Sequence, residues 1–334
     1  MNLLPGPVAV MGAGSVGCFV GGRLQAAGAT VRYVARPRVA QALRDHGLRL
    51  TDLETGEHRL ASADLDLRDA APADSALVLL CVKSGGTAQA ATELARALPA
   101  GTPVLSLQNG VDNTATGRVA APALNWLAGM VPFNVAELAP GHYHRGTSGD
   151  LVAQDHAALR PWLPLFAAAG LPLKLHADLR SVQWGKLLLN LNNPVNALSG
   201  LPLRAQLLQR DYRLVLAALQ TEALAVLSAA DISPAQLTPL PPQRLPAVLR
   251  LPTLVFRLVA ARMLRIDEKA RSSMADDLAL GRPTEIDAIC GAVVRLAQRV
   301  GMEAPLNGRM LALLSVQQPQ QLDGRRLRQS LGLG

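Results

Sequence analysis

Lys186 and Asn190 stand four positions apart in Trp184-Gly185-Lys186-Leu187-Leu188-Leu189-Asn190. On a helix that spacing places an ammonium and an amide on one face, among leucines. A lysine in apolar surroundings loses hydration, its pKa falls, and it becomes ready for proton transfer. The same pattern suits a lysine that snorkels along an apolar helix to water, and this segment alone leaves both readings open. A second polar cluster, Arg271-Ser272-Ser273-Met274-Ala275-Asp276-Asp277 with Pro283-Thr284-Glu285-Ile286-Asp287, supplies carboxylates that could orient the lysine or a substrate hydroxyl. Taken alone it reads as structural: Ser273 and Asp277 as caps, and Glu285 as a charge favoured in the first turn of a helix N-capped by Thr284.

A third group stands near the N-terminus, where Val8-Ala9-Val10-Met11 breaks into Gly12-Ala13-Gly14-Ser15-Val16-Gly17. An apolar run followed by G-x-G-x-x-G and a helical pattern is the context in which these glycines bind a dinucleotide. Gly12 makes the tight turn, Gly14 lets the backbone approach a pyrophosphate, and Gly17 lets helix and strand pack closely. A second strand, Thr30 to Ala35, completes the βαβ unit and ends in Ala35-Arg36-Pro37-Arg38. No carboxylate stands there to hold the ribose hydroxyls of NAD(H). A guanidinium suits a 2′-phosphate, so the expected cofactor is NADP(H), with Arg36 as its marker.

The elements that must position these groups change texture along the chain. The first half alternates strand and helix: a helix from Ala40 to His46, a hairpin or edge pair from Leu48–Asp52 and Glu57–Ser62, and the fully apolar run Ala76 to Val82, which marks a central parallel strand. A helix from about Gly86 to Ala97 and strands at Val104–Leu107 and Leu127–Val131 follow. Such alternation implies a doubly wound, mostly parallel sheet, with ligands beyond the carboxyl ends of its strands, where Lys83 and Asn109 lie. From about Ser181 the patterns become helical, including Asp211–Ala230 and Glu285–Val300. Ser233–Pro252 carries six prolines and is expected to be mostly irregular or extended. The expected organisation is a dinucleotide domain over residues 1–178 and a helical domain over 179–334.

Bulk composition narrows the class. With 334 residues, 49% hydrophobic and 17% charged, the chain is globular. Its net charge of +8 is dispersed and only 3% of residues are aromatic, which argues against nucleic acid. The densest basic cluster, Arg325-Arg326-Leu327-Arg328, lies in a Gly-rich tail and reads as solvated. Cys18, Cys81 and Cys290 lack ligand spacing, His142 and His144 read as incidental, and no metal is expected. Without a signal-peptide pattern, and with Leu214–Ala230 broken by Gln220, Thr221 and Glu222, the expectation is a cytoplasmic protein off the membrane.

In order and approximate spacing, the glycine motif, Lys83, Gln108-Asn109-Gly110, Lys186-x-x-x-Asn190, Ser272-Ser273-Met274 and Thr284-Glu285-Ile286-Asp287 resemble the ketopantoate reductase (2-dehydropantoate 2-reductase) family over nearly the whole chain. The resemblance implies an α/β N-terminal Rossmann domain followed by an all-α C-terminal domain. It implies reduction of 2-dehydropantoate by NADPH, with Lys186 as general acid and Glu285 as its partner near cofactor and substrate. Asn190, Asn193 and Ser273 would hold the 2-oxo acid, Asn109 would contact both ligands, and Gly12 to Gly17, Arg36, Lys83 and Glu285 would contact NADPH/NADP+. A homodimer is a further possibility. The chain departs from the family pattern in three places. It runs one residue shorter before Asn193-Pro194, has Leu203 where a substrate asparagine is expected, and is longer over Ser233–Pro252 and Leu254–Ile266. The alternatives kept are a reductase of another small 2-oxo acid and a non-catalytic NADPH sensor.

Overall fold

The structure is a computed structural model describing residues 5–52, 56–261, 264, 270–316 and 319–334. Contacts divide the chain into two units, Met1–Leu179 and Arg180–Gly334.

In the first unit the strands are β1 (Val8–Met11), β2 (Val31–Val34), β3 (Leu48–Asp52), β4 (Glu57–Leu60), β5 (Asp66–Arg68), β6 (Leu77–Leu80), β7 (Pro103–Ser106), β8 (Asn125–Met130), β9 (Val135–Ala139), β10 (His142–Arg145), β11 (Leu151–Gln154) and β12 (Leu173–His176). The helices are α1 (Ser15–Ala26), α2 (Pro37–His46), α3 (Thr87–Ala97), α4 (Asn113–Ala120) and α5 (Leu163–Ala168). An eight-stranded sheet runs β12-β11-β8-β7-β6-β1-β2-β5, parallel except where β11 meets β8. β1 and β6 are wholly buried, as expected for central parallel strands covered on both faces. The strand order reverses between β1 and β6, so the crevice beyond their carboxyl ends is the ligand position of a doubly wound sheet.

The predicted Leu48–Asp52 hairpin forms, but its partners were not foreseen. It joins β10 and β9 in a separate four-stranded sheet, β4-β3-β10-β9. This sheet covers the face of α1 turned away from β1, which explains why α1 is apolar all round. A Cβ at Gly21 would meet Val10 and Tyr33 at 2.8 Å, while one at Gly22 would meet Leu48 at 2.6 Å. Arg23 is fixed in the same layer by Asp52 at 3.0 Å and by the Ala169 carbonyl at 2.9 Å. The cysteines are free thiols, and burial pushes Cys18 up to about 12 and Cys81 and Cys290 higher still.

The second unit is helical: α6 (Leu179–Asn190, begun on the last residue of the first unit), α7 (Asn192–Ser199), α8 (Leu203–Leu208), α9 (Arg210–Ala229), α10 (Leu245–Arg250), α11 (Thr253–Val259), α12 (Ser273–Ala279), a π segment at Asp287–Gly291 running into α13 (Ala292–Arg299), α14 (Pro305–Leu314) and α15 (Gly324–Ser330). By length and composition α9 is the one described helix capable of crossing a membrane, yet 56% of its apolar window is buried inside the protein. Its polar interruptions serve the core. Gln220 Nε2 donates to the Leu188 carbonyl at 3.0 Å, and the Glu222 carboxylate accepts the Leu306 and Asn307 N–H groups at 2.9 and 2.8 Å, capping α14 from a distance.

Three expectations for this unit need correction. The proline-rich stretch is irregular over 233–241, as expected; beyond it Pro242 opens a turn and Pro246 sits in the first turn of α10, where a missing N–H costs nothing. The cap of α12 is Ser272, whose hydroxyl accepts from Ala275 N at 3.2 Å, rather than Ser273. The last long helix begins at Ile286, so Glu285 precedes its first turn and Thr284 is not the cap. The basic C-terminal cluster is not a solvated tail. Asp323 caps α15, Leu327 is fully buried, and Arg328 pairs with Asp211 at 2.8 Å. The expected extension Leu254–Ile266 is helical over α11, while positions 262–263 and 265–266 lie outside the described residues.

Candidate active site

The glycine turn follows β1 directly. Gly12 has φ +99°, and a Cβ there would meet Val82 N at 2.6 Å, so only glycine lets β1 turn beside the end of β6. A Cβ at Gly17 would lie 2.3 Å from the Gly12 carbonyl oxygen, which makes Gly17 the contact that seats α1 on the turn. Gly14 differs: it N-caps α1, and a Cβ there would meet nothing within 4 Å. No side chain caps α1, and its first turn, containing Ser15, Val16 and Gly17, holds no acidic residue. Open space thus lies against uncapped N–H groups at the positive end of a helix, a cradle that fits a pyrophosphate. Ala13 is buried in this turn and donates its N–H to the Val34 carbonyl at 3.0 Å, tying the glycine loop to the end of β2.

Arg36 and Arg38 separate in role. Arg38 forms a bidentate pair with Glu137, both bonds 3.1 Å. Arg36 caps α2 through its backbone, and its exposed guanidinium has no hydrogen bond or ion pair among the described residues. It is the cation left available at the end of β2.

Lys83 and Asn109 follow β6 and β7, in loops laced together by a network that sequence reasoning missed. Gln108 Nε2 donates to the Val82 carbonyl and to Thr87 Oγ1, each at 2.8 Å, while Ser106 Oγ donates to Gln108 Oε1 at 2.9 Å. The Asn109 carbonyl accepts from Ser84 Oγ at 2.8 Å and from Asn113 Nδ2 at 2.7 Å. Gln108 is buried, Asn109 half-buried. The adjacency of Gln108 to Asn109 was the one available signal; Thr87 and Asn113 carry none, because their partners come from other loops.

In the helical unit Lys186 lies on α6, half-buried, with Asn190 ending the same helix. Burial pulls its ammonium down from 10.5 to about 8, and the carboxylate of half-buried Glu285 pulls the other way. The chain thus brings two groups separated by about a hundred residues into electrostatic contact. Asn193, half-buried in α7, offers its carbonyl to Ser272 Oγ at 3.3 Å, while Ser273 is the exposed first residue of α12. Asn196, fully buried and not foreseen, joins these pieces: its Oδ1 accepts from Ser272 N and its Nδ2 donates to the Leu201 carbonyl, both at 2.9 Å. Among the described residues no group of His, Cys, Asp and Glu could hold a metal. His142 and His144 instead share the Thr51 hydroxyl, at 3.0 and 2.9 Å.

Gly185 keeps α6 in place. A Cβ there would lie 2.4 Å from the Ala235 carbonyl oxygen, and Ala235 N donates to the Ser181 carbonyl at 2.9 Å. Gly185→Ala is therefore expected to destabilise the protein by about 1–3 kcal/mol, read as a lowered Tm in thermal unfolding.

Residues 8–158 match the family model described as Ketopantoate reductase PanE/ApbA, and residues 178–318 match its C-terminal counterpart, Ketopantoate reductase PanE/ApbA C terminal. The chain belongs to the ketopantoate reductase family. This family member is 29% identical to the 2-dehydropantoate 2-reductase of Halobacterium salinarum over 306 residues, 90% of this chain and 94% of that protein. Its fold is similar to the crystal structure of a PanE/ApbA family ketopantoate reductase from Ralstonia eutropha, with TM-score 0.77, 30% identity, and coverage of 98% and 99% of the two chains. A D-mandelate dehydrogenase solved with NADH and anilino(oxo)acetate shares the fold at TM-score 0.75 and 19% identity, covering 98% of this chain and 99% of its own. The family is one of oxidoreductases with a Rossmann-type domain followed by a helical one, the architecture seen here.

Proposed function

We propose that this ketopantoate reductase family member reduces 2-dehydropantoate to pantoate with NADPH, a step toward pantothenate and coenzyme A in the cytoplasm. The observation that carries the reading is Lys186, a half-buried ammonium that loss of hydration draws down to about 8 while Glu285 favours its charged form. When bound, NADPH supplies a hydride to the ketone carbon. Lys186 stabilises the negative charge that develops on the ketone oxygen and donates a proton to it. Asn190, Asn193 and Ser273 orient the carboxylate and hydroxyl of the oxo acid without adding a competing acid, and Asn109 contacts both ligands. Gly12 to Gly17 would cradle the pyrophosphate, with Lys83 beside it.

The unpaired Arg36 supports the phosphorylated cofactor. Arg36→Ala is expected to weaken NADPH about tenfold, the value of a charge-assisted contact at an exposed site, and to leave NADH unchanged. Fluorescence titration with both cofactors reads this directly.

The deciding experiment follows loss of reduced-cofactor absorbance with 2-dehydropantoate, NADPH or NADH, and a panel of other 2-oxo acids. Fast turnover only with NADPH and 2-dehydropantoate supports the full reading. Turnover with a different oxo acid keeps the chemistry and removes the pathway, an outcome that Leu203 makes worth testing. NADPH binding without any turnover would overturn the enzyme in favour of a sensor.

A further inference from the structure

The helix that follows Glu285 does not begin as a regular α-helix. Asp287–Gly291 forms a π turn between Ile286 and Ala292, both in ordinary helical conformation. A π turn closes its hydrogen bonds over one more residue than an α turn, and such turns recur inside helices at functional sites. The extra residue rotates the chain before it by about 100° relative to an unbroken α-helix. Ile286, next to the turn, is buried, and half-buried Glu285 precedes it directly. The turn therefore sets the placement of Glu285 through a single packed residue.

Three residues hold this turn. Arg295, in α13, donates one guanidinium nitrogen to Asp287 Oδ1 at 2.8 Å and the other to the Asp287 carbonyl at 3.0 Å. One planar side chain thus grips both the side chain and the backbone of the first π residue. A Cβ on Gly291 would lie 2.5 Å from Asp287 Oδ1 and 3.1 Å from the guanidinium nitrogen. Glycine is what lets the carboxylate fold against the helix where Arg295 reaches it. The pair is exposed, an arrangement in which an ion pair adds little to stability. Its consequence lies in the geometry it fixes.

We propose that Asp287, Gly291 and Arg295 are positioning residues that hold the π turn and thereby keep the Glu285 carboxylate within electrostatic reach of Lys186. Their bearing on catalysis rests on the proposed role of Lys186 as proton donor, whereas their action on the charge of the lysine does not. Burial lowers the pKa of the Lys186 ammonium and Glu285 raises it. Moving the carboxylate away lowers the titration midpoint.

The chain has four lysines, few enough to resolve by NMR with isotope-labelled lysine, and loss of one resonance in Lys186→Arg assigns Lys186. The full chain is titrated without substrate. Arg295→Met is expected to lower the Lys186 midpoint, in the same direction as Glu285→Gln and by a smaller step. The sign is diagnostic: losing a cation acts directly on a lysine in the opposite direction, so a fall reports a displaced carboxylate. Gly291→Ala keeps every charge and adds a methyl where the Asp287 carboxylate lies, and it should also give a fall. In a Glu285→Gln background, Arg295→Met should give no further fall, because the two act through one group. An unchanged or raised midpoint in either Arg295→Met or Gly291→Ala, or a fall that persists without Glu285, would overturn the proposal. Failure of the catalytic reading shows instead as absent turnover and leaves these midpoints where they are.

Discussion

Lys186→Ala is expected to lower kcat for oxo-acid reduction by roughly 10²–10⁴-fold, the usual share of a positioned general acid, with NADPH affinity nearly unchanged. The proposed pyrophosphate and 2′-phosphate residues, Gly12 to Gly17, Arg36 and Lys83, belong to the other unit, and the substitution removes a side chain whose charge is already costly to bury. The pH profile separates a proton donor from a merely structural lysine. Reduction needs the ammonium, so kcat should fall as pH rises through about 8, the value to which burial lowers this group. Oxidation of the product hydroxy acid needs the free amine and should rise over the same interval. Glu285→Gln removes the carboxylate that raises the lysine, so the fall should move to lower pH. A profile flat from pH 6 to about 10, with activity surviving in Lys186→Ala, would remove Lys186 from the chemistry. The linkage to stability has a defined sign. The folded pKa lies below the unfolded 10.5, so the unfolded chain binds more protons between about 8 and 10.5. The cost of burying Lys186 is therefore fully present below that window and is relieved as pH rises through it.

The second large effect divides two glycines of one motif. Gly14→Ala should leave Tm unchanged, because φ is −87° and the new methyl enters open space. That space is where a pyrophosphate would approach, so NADPH affinity should fall by about tenfold or more, several charge-assisted contacts being lengthened together. Gly17→Ala should lose both affinity and stability. Its methyl meets the Gly12 carbonyl oxygen at 2.3 Å and Val10 Cγ1 at 2.9 Å. The oxygen is itself held by Gly14 N at 2.8 Å, so α1 has to shift, at a cost of about 1–3 kcal/mol. Parallel melting and fluorescence titrations check the split. Wild-type NADPH affinity in Gly14→Ala would refute the cradle.

The local elements of the first unit were legible in the residues themselves. A fully apolar run can only be a covered strand, and a glycine motif between strand and helix dictates a turn of one shape, so β1, α1, β2 and β6 follow from periodicity. The Lys186–Asn190 face was legible for the same reason: one helical spacing suffices to place both side chains. Where the reading failed, a neighbour distant in sequence decided. The hairpin of β3 and β4 found β10 because both α1 faces needed cover, and α15 docked because Leu327 and Arg328 met α9. The proline-rich stretch read correctly as irregular over 233–241, and Pro242 and Pro246 beyond it sit at helix starts, since a first turn needs no N–H from them.

By itself, then, the sequence determined the kinds of chemistry available: a dinucleotide turn, a spare arginine, a lysine beside an amide, and carboxylates nearby in type but not in place. The burial that lowers the Lys186 ammonium and the Glu285 carboxylate that raises it are supplied only when the helical unit packs around the lysine. Likewise Arg36 and Arg38 look alike in sequence, and only the pairing of Arg38 with Glu137 left Arg36 available. The physical reason is common to both cases. Residue type and local spacing set what a side chain can do, but desolvation and charge pairing depend on groups that the chain delivers only once it has folded.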